Sequence, residues 1–108
     1  MTDAEVVKAL AALAQESRLK VFRLLIVAGP GGVTPGLITD ELGIAPTSLS
    51  FHLKELTHAG LITHERVGRN LIYRARIEVM NDLVGFLTAS CCGGQTCMPD
   101  ATVECSNC

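Results

Sequence analysis

Tryptophan is missing from this chain, and aromatic side chains supply only 4% of its 108 residues. A core built without large rings has to be packed with aliphatic side chains, and the Ala and Leu that abound here favour helices. Long apolar runs are missing too. The longest, VFRLLIVAG, is interrupted by Arg23 and is too short to span a membrane. A basic leader is absent: Asp3 and Glu5 stand where the positive start of a signal peptide would lie. These absences predict a soluble, cytoplasmic protein with no membrane partner. There is no internal repeat and no low-complexity linker. No phosphate-cradling loop, general base or βαβ pattern suggests an enzyme, so no catalytic residues and no organic cofactor are expected. Against these absences stands a hydrophobic content of 48%, enough for one folded domain of ordinary size.

A strong excess of one charge sign is also lacking. The net charge of −2 would, taken alone, argue against a nucleic-acid partner. Its distribution argues the other way. Residues 50–76 carry Lys54, Arg66, Arg69, Arg74 and Arg76 against only Glu55 and Glu65, and all three histidines (His52, His58, His64) fall there as well. Residues 77–108 hold Glu78, Asp82, Asp100 and Glu104 and no Lys or Arg. The middle of the chain is locally basic, which is what a phosphate footprint requires.

Hydrophobic spacing divides the chain into elements. Val6, Val7, Leu10 and Leu13 predict a helix over 3–14, capped by Thr2 or Asp3. ESRLKVFRLLIVAG predicts a second helix with a Leu19, Phe22, Leu25/Ile26 stripe, stopped by Gly29-Pro30. TPGLITDELG predicts a short third helix: Thr34 caps it, Pro35 takes its first position, Ile38 and Leu42 face inward, and Gly43 ends it. Pro46 then opens a fourth helix with Leu49, Leu53 and Leu56 buried and Gly60 at its end. Two short helices joined by a tight glycine turn form a helix-turn-helix. From residue 61 the period changes to two. Ile62, His64 and Arg66, then Leu71, Tyr73 and Ala75, predict a hairpin around VGRN, with Gly68 and Asn70 supplying positive φ. Residues 77–90 return to helix, with Met80, Leu83, Val84 and Leu87 as the apolar stripe and Cys91 as its next member. The expected fold is mainly α with one β-hairpin: a winged helix-turn-helix.

Three stretches carry a family resemblance. ESRLKVFRLL resembles the second helix of the ArsR/SmtB metal-sensing repressors, LSFHLKELTHAGLI their recognition helix, and ERVGRNLIYRA their wing. They stand in the right order between residues 16 and 75, and the resemblance covers about residues 5–90. The resemblance implies a homodimer that pairs through its first and last helices. It implies a repressor that holds a two-fold double-stranded operator and releases it when a metal or metalloid binds. Residues 1–90 would then be a DNA-binding and dimerisation domain, and residues 91–108 a Cys-rich metalloid-binding tail. Two departures matter. The third helix lacks the Cys-x-Cys pair of many arsenic-sensing relatives. Residues 77–90 lack the histidines of the zinc-type site, leaving Glu78 and Asp82 without the usual partners. Some arsenic sensors of this family carry their site just after the last helix, and CCGGQTC resembles that variant.

The start of the second helix in a helix-turn-helix meets base edges in the major groove. With Leu49, Leu53 and Leu56 inward, the candidate DNA-binding residues are Thr47, Ser48, Ser50, Phe51, His52 and Lys54, joined by Arg69 and Asn70 at the hairpin tip. Hydroxyls serve bases or phosphates, Lys54 suits a phosphate, and Phe51 suits a thymine methyl. Other roles stand beside these: Phe51 as a core residue, His52 as an inter-helix hydrogen-bonder, the hydroxyls as helix caps, Arg69 and Asn70 as plain turn residues. Arg74 and Arg76 read as a solvated strand face.

All five cysteines (Cys91, Cys92, Cys97, Cys105, Cys108) crowd into the last eighteen residues. In a reducing compartment such a cluster reads as ligands before disulfides, and an odd count fits no closed framework. Soft thiolates select thiophilic ions. As(III) takes three sulfurs in a pyramid, which Cys91, Cys92 and Cys97 supply, with GGQT as the return loop and Cys105 and Cys108 as auxiliary ligands. Sb(III) fits the same set, and the expected role of either ion is inducer. Four-coordinate Zn(II) on Cys92, Cys97, Cys105 and Cys108 is an alternative, as are a Cd(II)- or Pb(II)-responsive site, a thiol redox switch, and a passive ion scavenger. Cys91 alone also reads as a small buried apolar residue.

Overall fold

Thr2 opens the first helix, α1 (Asp3–Leu13), with a reciprocal cap. Its hydroxyl accepts the Glu5 N–H at 3.2 Å, and the Glu5 carboxylate accepts the Thr2 N–H at 3.0 Å. The structure is a computed structural model that describes residues 1–90 and Gly93. Helix α2 (Glu16–Ala28) starts where the Gln15 side chain accepts the Arg18 N–H at 2.8 Å, and it ends on Gly29, whose φ is +71°. A single 3-10 turn (Gly29–Gly31) leads to α3 (Pro35–Leu42), capped by Thr34 and closed by Gly43 in the left-handed region. Helix α4 (Pro46–His58) follows three residues after α3 ends. Strands β1 (Ile62–Val67) and β2 (Asn70–Ala75) pair antiparallel, from Ile62 opposite Ala75 to Val67 opposite Asn70. Helix α5 (Ile77–Thr88) is the last described element. The predicted mainly helical winged helix-turn-helix is the fold that forms.

Helix α2 is central. It packs on α1, α3, α4 and β2. Val21, Phe22 and Leu25 from α2 meet Leu49, Leu53 and Leu56 from α4, Ile38 from α3, and Leu61 and Ile62 from the entry to the hairpin. Phe22 is the one aromatic side chain in this buried set, as an aromatic-poor composition requires. Each such side chain contributes about 1.5–3 kcal/mol on full burial. Val33 joins the hairpin as a one-residue third strand: its N–H donates to the Tyr73 carbonyl at 2.9 Å, and the Tyr73 N–H donates back at 2.8 Å. That bridge ties the loop before α3 to the wing.

Several inward stripes read from the spacing differ from the packing. On α1 the buried residues are Val6, Ala9 and Ala12, while Val7 is 64% and Leu10 41% exposed. Leu19 of α2 is also exposed, and Val21 takes its place in the core. On α5 only Leu83 is buried, with Met80 half-buried and Val84 and Leu87 exposed. Small Ala side chains let α1 sit close to α2, so its buried face carries smaller apolar side chains than the exposed Val7 and Leu10. At the hairpin, Gly68 alone has positive φ (+63°), while Asn70 is an ordinary strand residue paired with Val67. The turn is therefore the two residues Gly68-Arg69, and glycine at its first position suffices.

Gly32 explains how the loop fits against the wing. Its φ is +69°, and a Cβ there would lie 2.6 Å from Ile72 Cγ2 and 2.7 Å from the Tyr73 carbonyl oxygen. Gly36, inside α3, has open space around it. The same substitution should therefore act with opposite sign at the two sites. In urea unfolding, Gly32→Ala is expected to lower stability by about 1–3 kcal/mol, and Gly36→Ala to raise it by about 0.5–1 kcal/mol.

Candidate nucleic-acid interface

Burying Leu49, Leu53 and Leu56 against α2 turns the opposite face of α4 outward. Thr47, Phe51, Lys54 and His58, at i, i+4, i+7 and i+11, form an exposed ridge, flanked by Ser48 and Ser50. The start of this helix has no side-chain cap, and Pro46 occupies its first turn. The Thr47 and Ser48 N–H groups thus point along the helix axis toward any anion brought there, and the helix dipole favours negative charge at that end. Ser50 and Leu49 border a cleft of about 160 Å³ whose other wall is Pro35, Gly36 and Thr39 of α3. The two helices of the motif hence present one continuous surface.

Phe51 is 54% exposed, so the core role open to it in the sequence is not the one it takes. Its ring meets the Arg18 guanidinium, whose carbon lies 5.7 Å from the ring centroid, and it approaches His52 edge-on at 5.9 Å. His52 corrects its place among the base readers. It is 8% exposed and turned inward toward α2, because residue 52 falls on the Leu49–Leu56 side of the helix. Burial, then the nearby Arg18 charge, lowers its pKa, and its Nδ1 has no hydrogen-bond partner among the described residues. Arg18 itself has no signature in the sequence as a site residue. Only the packing of α2 on α4 brings it to Phe51.

At the wing, Arg69 forms the tip with Gly68, and Arg69 and Asn70 are both exposed. Arg74 and Arg76 are not the freely solvated face expected of them. Arg74 Nε donates to the Pro30 carbonyl at 2.8 Å and its guanidinium pairs with Glu65 at 2.6 Å. Arg76 pairs with Glu78 at 3.1 Å and reaches the Gly60 carbonyl at 3.5 Å. Among the described residues, Lys54, Arg66 and Arg69 have no carboxylate partner, so they carry the positive charge of this surface. Cys91, Cys92, Cys97, Cys105 and Cys108 lie outside the described residues. No three His, Cys, Asp or Glu side chains converge on a metal site among the described ones.

A helix-turn-helix domain model matches residues 13–65. An uncharacterised HTH-type transcriptional regulator of Bacillus subtilis, YbzH, is 32% identical over 95 residues, covering 77% of this chain and 95% of the relative. The solved ArsR-like transcriptional regulator from Rhodococcus sp. RHA1 superposes with a TM-score of 0.70 at 27% identity, over 78% of this chain and 76% of that one. The chain belongs to the HTH-type transcriptional regulators, and its fold is that of the ArsR-like ones. Another solved relative, described as a "possible transcriptional regulator for arsenical resistance", superposes with a TM-score of 0.62 at 26% identity, over 74% of this chain and 80% of that one. Like its relatives, this ArsR-like regulator is a DNA-binding protein and not an enzyme. No described helix is long and apolar enough to cross a membrane.

The lowered His52 pKa makes the stability of this ArsR-like regulator pH-dependent. The unfolded chain takes up a proton near 6.5, the folded chain only at lower pH. Stability is therefore full above about pH 6.5 and falls as pH drops through the folded value. Urea unfolding at a series of pH values should show that slope, and His52→Gln should flatten it.

Proposed function

We propose that this regulator is a homodimeric repressor that releases a two-fold double-stranded operator when As(III), or Sb(III), binds Cys91, Cys92 and Cys97. The observation that carries the reading is the position of those thiols. Helix α5 ends at Thr88 with Val84, Phe86 and Leu87 exposed, and Cys91 follows three residues later. A helix with an uncovered apolar face is a natural dimer element, and α1 contributes Val7 and Leu10 in the same condition. A soft ion gathered at the end of such a helix acts on the dimer. All of the chain's thiols lie beyond α5, and α3 has none. Drawing three sulfurs together would shift the end of α5 and change the separation of the two α4 ridges, so that they no longer match successive turns of the major groove. In the DNA-bound state Thr47, Ser48, Ser50, Phe51 and Lys54 meet the major groove, and Arg69 and Asn70 meet the adjacent backbone or minor groove. Cys105 and Cys108 serve as auxiliary thiols. The protein would act in the cytoplasm.

Two measurements check this. In an operator-release titration with arsenite, each of Cys91→Ser, Cys92→Ser and Cys97→Ser should raise the release midpoint about tenfold or more, the equivalent of about 1.4 kcal/mol of ion affinity. Release at the wild-type midpoint in all three variants would rule the site out. Leu87→Asp, at a position 56% exposed in the single chain, should leave the chain folded. It should convert the dimer to monomer in sedimentation and weaken operator binding by roughly 100-fold or more, since the two half-sites would then be bound independently. An unchanged dimer would place the interface elsewhere.

A further inference from the structure

Among the described residues, Arg18 is a cation without a carboxylate. The three ion pairs among the described residues use Lys20, Arg74 and Arg76. Glu16, two positions before Arg18, pairs with Lys20 at 3.1 Å instead. The Arg18 side chain is nonetheless held in place. Gln15 anchors its backbone N–H, and its guanidinium lies against the Phe51 ring at 5.7 Å. Its Nε is enclosed and has no hydrogen-bond partner among the described residues, and the neighbouring His52 Nδ1 is in the same state. A buried donor without an acceptor is disfavoured, as is an uncompensated cation beside it. Phe51, in turn, is a large apolar ring standing exposed on the outward ridge of the recognition helix, where it offers no hydrogen bond.

We propose that Arg18 is a DNA-backbone contact supplied from outside the helix-turn-helix, and that Phe51 is the platform that holds its guanidinium toward a phosphate. The inference rests on the DNA-binding reading of the α4 ridge. A guanidinium held beside an aromatic ring with its Nε enclosed has its two terminal Nη groups left to donate, and these match two phosphate oxygens. The ring contact and the enclosed Nε restrict the long side chain before binding, so less freedom is lost on contact. Arg18 meets α4 from the α2 side, whereas the cleft at Ser50 is walled by α3. The ridge is thus bordered by α2 on one side and α3 on the other. This assigns Phe51 a role that base reading alone does not explain.

The test uses the full chain and two duplexes: one selected by the wild-type protein from a random pool, and one of random sequence. A phosphate contact carries no sequence information. Arg18→Gln should therefore weaken both duplexes by the same factor and make the slope of log affinity against log salt shallower by about 1 per protomer. Arg18→Lys should restore the slope, because it restores the charge. A wild-type slope in Arg18→Gln overturns the proposal, as does weakening confined to the selected duplex. Should Arg18→Gln fail to fold, the ¹⁵N-labelled wild-type protein decides the matter. The Arg18 Nε–H resonance should shift and exchange more slowly on addition of the random-sequence duplex, and an unmoved resonance overturns the proposal. A wild-type chain that binds neither duplex would overturn the DNA-binding reading itself, a result distinct from an Arg18 effect.

Discussion

The burial of Leu49, Leu53 and Leu56 against Val21, Phe22 and Leu25 is the contact on which the rest depends. It fixes the rotation of α4 about its own axis. Once that rotation is set, Thr47, Phe51 and Lys54 have to face solvent and His52 has to face α2. The same contact carries Arg18 to the Phe51 ring, since both ride on the two helices it joins. A half-turn of α4 would bury the polar ridge and expose three leucines, at a cost of several kcal/mol. The geometry of the DNA-facing surface is therefore held by apolar packing on its far side.

The wing is positioned by a different device. Gly32 lets the loop before α3 approach β2 closely enough for Val33 and Tyr73 to exchange two backbone hydrogen bonds. Arg74 reinforces the junction by reaching back to the Pro30 carbonyl. Thus two of the basic residues that made the middle of the chain look like a phosphate footprint serve internal structure. Arg74 and Arg76 are occupied by Glu65, Glu78 and carbonyl oxygens, while Lys54, Arg66 and Arg69 have no such partners among the described residues. Counting charge along the sequence located the basic segment correctly but could not sort its members, because pairing depends on which strands and loops end up adjacent.

The element order was legible because its signals are local. Thr34 before Pro35, Gly43 after Leu42 and Gly68 at a two-residue turn each act over a few residues. The stripes on α1 and α5 were harder to read. Val7, Leu10, Val84 and Leu87 repeat at helical spacing, yet the single chain leaves them exposed. Periodicity reports that a face seeks cover; it does not report whether the cover comes from the same chain or another. Asn70 keeps ordinary strand geometry for a related reason: a residue tolerant of positive φ need not adopt it when the nearby Gly68 already completes the turn.

Neighbouring residues alone set the winged helix-turn-helix fold, the outward set Thr47, Ser48, Ser50 and Lys54, the basic hairpin tip, and the confinement of every thiol to the segment after α5. Each follows from spacing, capping or composition, which are properties of neighbours in the chain. Only the tertiary structure decided that His52 is buried, that Arg74 and Arg76 are occupied, and that Arg18 shares a surface with Phe51. Those outcomes depend on the angle at which α2 crosses α4 and on the loop that Gly32 admits to β2, and packing between distant segments is not encoded in the period of either one.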